Sequence, residues 1–217
     1  MAKLSDYDVI VFDLDDTLYS EKDYVLSGYK FLSDLIKKLY SKSTYQSFLE
    51  ALDRNESDVF AYVIVQHRLP ESLKEHLILA YRYHTPNIKL HEGAISTLEQ
   101  LKSKNIPMYL ITDGRGITQR LKIISLGIDE FFESIFISEE VGAVKPELDS
   151  FLAIQSAYPD QSIVYVADNP KKDFIAPKQL GWSSIGIINK NTRVHPLTSN
   201  YIQAANVWLD EFKELIC

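Results

Sequence analysis

Short apolar runs recur along the chain at 8–12, 107–111, 134–137, 162–166 and 184–188, each closed by polar residues. Their near-continuous apolar character, in place of strict alternation, predicts strands buried on both faces, as in a parallel sheet. Between the later runs the period lengthens to that of a helix. TQRLKIISLG at 118–127 places Leu121, Ile124 and Leu126 at helical spacing and closes on Gly127, a residue suited to a helix C-terminus. A second helix is predicted over 147–157, with Pro146 at its first position. A third is predicted over 170–181, broken by Pro177, and a terminal amphipathic helix over 199–216. Strands alternating with helices predict an α/β fold: a Rossmann-like parallel sheet with helices on both faces. In such sheets ligands collect at the carboxyl ends of the strands.

Residues 19–84 break this alternation. They hold no convincing strand but carry helical patterns at 24–40, 44–53, 57–68 and 71–83. The expected organisation is therefore an α/β core domain formed by 1–18 and 85–217, with an all-helical domain, 19–84, inserted after the first strand. Tyr19, Tyr24, Tyr29, Tyr40, Tyr45, Tyr62, Tyr81 and Tyr83 fall in the insertion. They are expected to pack through their rings and leave their hydroxyls at the surface.

Composition narrows the partners. At 217 residues the chain suits one large domain or a core with a sizeable insertion. Its net charge of −7 and the lack of a dense basic cluster argue against nucleic acid. No uninterrupted apolar segment reaches membrane-spanning length, so no membrane partner is expected. MAKLSDYD carries no apolar run before a cleavage site, so no secretory signal is expected. The single cysteine is Cys217, which fits a reducing cytoplasm. His67, His76, His84, His91 and His195 are scattered, and surface or capping roles are expected for them. A small charged metabolite is the better candidate partner.

The strand ends carry the chemistry. The first run leads into Asp13, Asp15, Asp16 and Thr17, and the second into Thr112, Asp113 and Gly114. Lys145 and Pro146 follow the third, and Ala167, Asp168 and Asp173 follow the fourth. A parallel sheet would bring all of these to one edge. Carboxylates so close repel one another and are costly to bury without a partner, so either the cluster is a solvated acidic loop or a cation belongs among them. Oxygen-only donors suit Mg²⁺, which keeps some of its waters and leaves room for a phosphate. No histidine pair at ligand spacing supports zinc.

DLDDT at 13–17, LITDG at 110–114, Lys145-Pro146 and VADNPKKD at 166–173 resemble the four motifs of the haloacid dehalogenase-like (HAD) hydrolase superfamily, in their usual order. The helical insertion is similar to the cap of one large subgroup. The resemblance implies that Asp13 is a nucleophile forming an aspartyl-phosphate and that Asp15 is the acid and base. It implies a Mg²⁺ cofactor held by Asp13, Asp168 and the backbone carbonyl of Asp15. Thr112 and Lys145, with Asp113 beside them, would bind the substrate phosphate, and Arg115 also flanks that position. Thr17 and Asp173 would support the site, Asp173 by orienting Lys145 or a metal-bound water, and Asp16 would shape the turn. Two positions depart from the family pattern: Ala167 stands where glycine is frequent, and Asp113 where asparagine is frequent. The implied function is a Mg²⁺-dependent phosphatase acting on a small phosphorylated metabolite, such as a sugar phosphate or a nucleotide. The alternatives are a phosphomutase of the same superfamily or a non-hydrolysing phosphate-binding regulator. Dehalogenating relatives lack the acid/base aspartate, because a halide leaves without a proton.

Overall fold

A computed structural model describes residues 3–188 and 203–215. Six strands form one all-parallel sheet: β1 (Val9–Phe12), β2 (Met108–Thr112), β3 (Ser134–Ile137), β4 (Ile163–Ala167), β5 (Ser183–Ile187) and β6 (Val207–Leu209). Their order is β3-β2-β1-β4-β5-β6. β1 pairs with β2 on one side, with Val11 opposite Tyr109, and with β4 on the other, with Val11 opposite Tyr165. The order reverses at β1, and the crevice between β1 and β4 is where an open parallel sheet takes its ligand.

The five sequence-predicted strands are all present within one residue of their expected bounds. Every residue of β1, β2 and β4 is buried, the physical reason these segments read as continuous apolar runs. Val9, Val11, Tyr109, Ile111, Ile163 and Tyr165 point to one face, where Phe151, Ile154, Phe174 and Trp182 cover them. Phe12 points to the other and meets Phe132 and Phe212.

The chain divides into two units, Met1–Lys22 with Ile88–Cys217, and Asp23–Asn87. The sheet lies in the first. The second is all-helical and is spanned by α1 (Glu21–Tyr40, which begins in the first unit), α2 (Tyr45–Asp53), α3 (Val59–Gln66) and α4 (Leu73–Tyr83). Its own core comprises Tyr29, Leu32, Ile36, Phe48, Val63 and Leu77, with Tyr29 stacked on Phe48. Among the described residues, five further α-helices belong to the sheet unit: α5 (Ala94–Ser103), α6 (Gly116–Leu126), α7 (Ser138–Val141), α8 (Asp149–Ala157) and α9 (Ile175–Gln179). No described helix is long and apolar enough to cross a membrane.

Several expectations need correction. The terminal helix over 199–216 is not formed by residues 203–215, which make β6 and a 3-10 turn at Phe212–Glu214. Val207-Trp208-Leu209 has the β-branched and aromatic character that favours a strand, and it finds the open edge of β5. Asn206 fixes the register by accepting from Ser184 N at 2.8 Å. His195 and Cys217 lie outside the described residues. α8 begins at Asp149 and leaves Pro146 in a turn, because Val144 N donates to Glu147 and folds the segment before the helix starts. α9 is shorter than 170–181, because Asn169 and Asp173 side chains accept the backbone N–H groups of Lys171 and Asn169. Pro177 is tolerated as the third residue of α9, where its missing N–H would have had no helical partner. His84 is buried among Tyr24, Phe31 and Tyr81 and does not lie at the surface.

Candidate active site

The carboxyl ends of β1, β2 and β4 and the loop after β3 deliver Asp13, Asp15, Thr112, Asp113, Lys145, Asp168 and Asp173 to one cleft, which Asp16, Glu21, Asn169 and Lys172 also line. All lie in the sheet unit. Asp13 is buried, and its Oδ1 accepts from Lys145 Nζ at 2.6 Å. Thr17 Oγ1 lies 3.4 Å from Asp13 Oδ2. Lys145 Nζ is also 2.8 Å from Asp173 Oδ1 and 3.2 Å from the Tyr165 hydroxyl. One ammonium thus binds two carboxylates and a phenol, all of them buried side chains. Burial opposes its charge, but Asp13 and Asp173 outweigh that and raise its pKa well above the ordinary value.

Asp13, Asp168 and Asp173 each present a carboxylate oxygen within 4.8 Å of the others, and all three are buried. Burial, with Asp173 and Asp15 adding repulsion, pushes the Asp13 carboxyl up to about 7 despite Lys145. Asp168, buried beside Asp13 and Asp173, is pushed up to about 9. Crowded, desolvated, oxygen-only donors of this kind fit a hard divalent cation.

The Asp15 carboxylate is engaged elsewhere. Its Oδ1 accepts from Lys122 Nζ at 2.7 Å and from the Tyr19 hydroxyl, and its Oδ2 from Gln119 Nε2 at 2.9 Å. Burial works against its charge, and Lys122 with these hydrogen bonds outweighs it, leaving the pKa below the ordinary value. Asp16 adopts φ 54° and accepts from Glu21 N at 2.8 Å, so it shapes the turn, as its sequence position suggests. Asp113 accepts from Lys145 N at 3.0 Å and from Lys172 Nζ. Burial raises its pKa, but the Lys145 charge and the Lys172 bond bring it below the ordinary value. Its carboxylate accepts from both lysines, one through the backbone N–H and one through the side chain.

Sequence reasoning missed Gln119 and Lys122. The helical spacing of Leu121, Ile124 and Leu126 marked the helix but not its buried side: Ile124 is 64% exposed and the buried side chains are Gln119, Lys122 and Ile123. Tyr19 was expected to expose its hydroxyl, and it is fully buried against Asp15. Glu21, Asn169 and Lys172 were not singled out either. A legible signal existed in α6: Gln119 and Lys122, three apart, share a helix face directly after the second motif.

An open parallel sheet with a carboxylate-lined crevice at its reversal point defines the class as an α/β fold with an acidic cleft at one sheet edge. A family profile described as haloacid dehalogenase-like hydrolase matches residues 10–187, and the chain belongs to that family. It is 28% identical over 195 residues to a glyceraldehyde 3-phosphate phosphatase of Methanocaldococcus jannaschii, covering 82% of this chain and 84% of the relative. It is 25% identical over 168 residues to the pyrophosphatase PpaX of Bacillus thuringiensis, covering 74% of each. Among solved structures, a HAD-hydrolase of Bacillus subtilis bound to magnesium, YfnB, superposes with a TM-score of 0.67 at 19% identity over 96% of both chains. That likeness concerns the fold.

Proposed function

We propose that the protein is a Mg²⁺-dependent phosphatase that hydrolyses a small phosphorylated metabolite through an aspartyl-phosphate on Asp13. The observation that carries this reading is the buried Asp13 carboxylate, held by Lys145 at 2.6 Å and grouped with Asp168 and Asp173. The family membership and the phosphatase names of the similar proteins support it.

Asp13, Asp168 and the backbone carbonyl of Asp15 would hold Mg²⁺, and Asp173 stands close enough to join or to orient a bound water. The ion, when bound, would neutralise the repulsion between carboxylate and phosphate and make the phosphorus more electrophilic. An oxygen of Asp13 attacks phosphorus while the bond to the leaving oxygen breaks, and Asp15 donates the proton that this oxygen takes. Water then attacks the aspartyl-phosphate, Asp15 accepts its proton, and the bond between phosphorus and the Asp13 oxygen breaks to release inorganic phosphate. Lys145 aligns Asp13 and places positive charge beside the transferring group, where Thr112 adds a hydroxyl. These groups act on the phosphoryl unit common to all monoesters and do not by themselves choose among substrates.

Released phosphate measured across a panel of sugar phosphates, nucleotides and triose phosphates, with and without Mg²⁺, tests the proposal. Turnover by the native protein and its loss in Asp13→Asn are expected. Undiminished turnover in that variant would remove Asp13 from the nucleophile role. Activity that depends on a bisphosphate primer and frees little phosphate would instead identify a mutase.

A further inference from the structure

Two polar side chains of α6 reach the site without belonging to any of the four motifs. Gln119 is 1% exposed and Lys122 4%. Burying an amide and an ammonium on a helix face is costly unless each is bonded, and both are bonded to the site. We propose that Gln119 and Lys122 are positioning residues: they hold the Asp15 carboxylate for proton transfer, apart from the Asp13–Asp168–Asp173 group, and Gln119 makes the Thr112 hydroxyl a donor. This rests on the phosphatase reading, in which Asp15 moves the proton and Thr112 meets the phosphoryl oxygen.

The hydrogen-bond arithmetic is closed. A carboxylate can only accept, so the Gln119 atom 2.9 Å from Asp15 Oδ2 is the amide nitrogen. That same nitrogen lies 2.6 Å from Thr112 Oγ1. Both of its hydrogens are then committed, one to each residue. Thr112 Oγ1 accepts from Gln119, so its own hydrogen is left for another acceptor, and a phosphoryl oxygen of a bound substrate would be one. On the other side of Asp15, Lys122 Nζ at 2.7 Å and the Tyr19 hydroxyl occupy Oδ1. Gly114 leaves room for Gln119: a Cβ there would lie 3.0 Å from Gln119 Cδ. The amide thus couples the proton-transferring group to the phosphate-holding hydroxyl through one buried side chain.

The test is the dependence of kcat/KM on the leaving group, across monoesters from 4-nitrophenyl phosphate to alkyl phosphates. An acidic phenol departs without a proton, and an alcohol does not. If Asp15 is misplaced, Gln119→Met and Lys122→Met steepen this dependence, with at least about a tenfold loss on the alkyl esters and a smaller loss on the aryl ester. Lys122→Arg keeps the charge and should return the slope toward the native one. An equal loss across the series, or no loss in either variant, overturns the proposal. Melting curves check folding; should Gln119→Met not fold, the Lys122→Met and Lys122→Arg pair decides. Retained turnover in Asp13→Asn, measured alongside, would overturn the phosphatase reading itself and is distinguishable from both results.

Discussion

Lys145 Nζ lies 2.6 Å from Asp13 Oδ1, although 132 positions separate the two residues in the chain. The same ammonium is 2.8 Å from Asp173 Oδ1, so its removal would leave two buried carboxylates without their shared cation. Lys145→Met is expected to lower kcat by about 10²-fold or more, the usual effect of losing one group that stabilises developing negative charge. It should also cost about 3 kcal/mol of stability near pH 8. The cost should shrink at acid pH, where the carboxyls can take up protons. Denaturant titration at two pH values, beside a phosphate-release assay, measures both.

Mg²⁺ should stabilise the protein more at high pH than at low. Asp13 and Asp168 are pushed up to about 7 and about 9, from 3.8. Between roughly pH 4 and pH 9 the cation-free folded state therefore binds protons that the unfolded chain has released. Stability from these groups is full at acid pH and declines as pH rises through that window. A cation takes the place of those protons, so the rise in Tm on adding Mg²⁺ should be larger at pH 8.5 than at pH 6, and a chelator should abolish it. A rise of equal size at both pH values would contradict this.

Gly114→Ala should impair catalysis beyond its effect on stability. Gly114 has φ 145°, and an added Cβ would meet the Gln119 side chain at 3.0–3.2 Å. Backbone strain of this kind costs about 1–3 kcal/mol. The displaced amide would also release Asp15 and Thr112. A melt shifted by several degrees together with a steeper leaving-group dependence is the expected pair of results, and a stability loss alone would confine Gly114 to the backbone.

Gly186 faces Trp208 across β5 and β6, its partner in register, and an added Cβ would fall 2.1 Å from the indole Cε3. The ring is packed edge-on against Phe174 and cannot simply withdraw. Gly186→Ala is expected to destabilise by about 1–3 kcal/mol through overpacking. The penalty should fall in a Trp208→Leu background, which a double-mutant cycle would show.

In the helical unit, Asp58 caps α3 by accepting from Ala61 N at 3.0 Å and also pairs with Lys74. Asp58→Ala should cost about 1 kcal/mol, mainly through the lost cap, because the ion pair is substantially exposed. Asp58→Asn should recover most of it. Thermal melts of the three proteins, at constant salt, decide.

The strands were legible because a parallel strand covered on both faces has no polar side to show, and its neighbours in sequence do. Val9–Phe12 and Ile163–Ala167 announce themselves in this way, and a parallel sheet necessarily gathers whatever follows them at one edge. Asp13, Asp15, Thr112, Lys145 and Asp168 were therefore identifiable as one constellation before any geometry was known. β6 was not, because three residues of edge strand, Val207–Leu209, carry too little pattern to outweigh a helical period and depend on the open side of β5. Gln119 and Lys122 were hidden for a related reason: a polar residue on a helix is read as facing water, and only the position of Asp15 makes burial favourable for them. The sequence by itself determined the sheet, the helical insertion and the acidic residues that end the strands. Tertiary structure alone decided which carboxylates stand together, which is held apart, and which helix face serves the site, because those depend on distances between segments a hundred residues distant that no local pattern encodes.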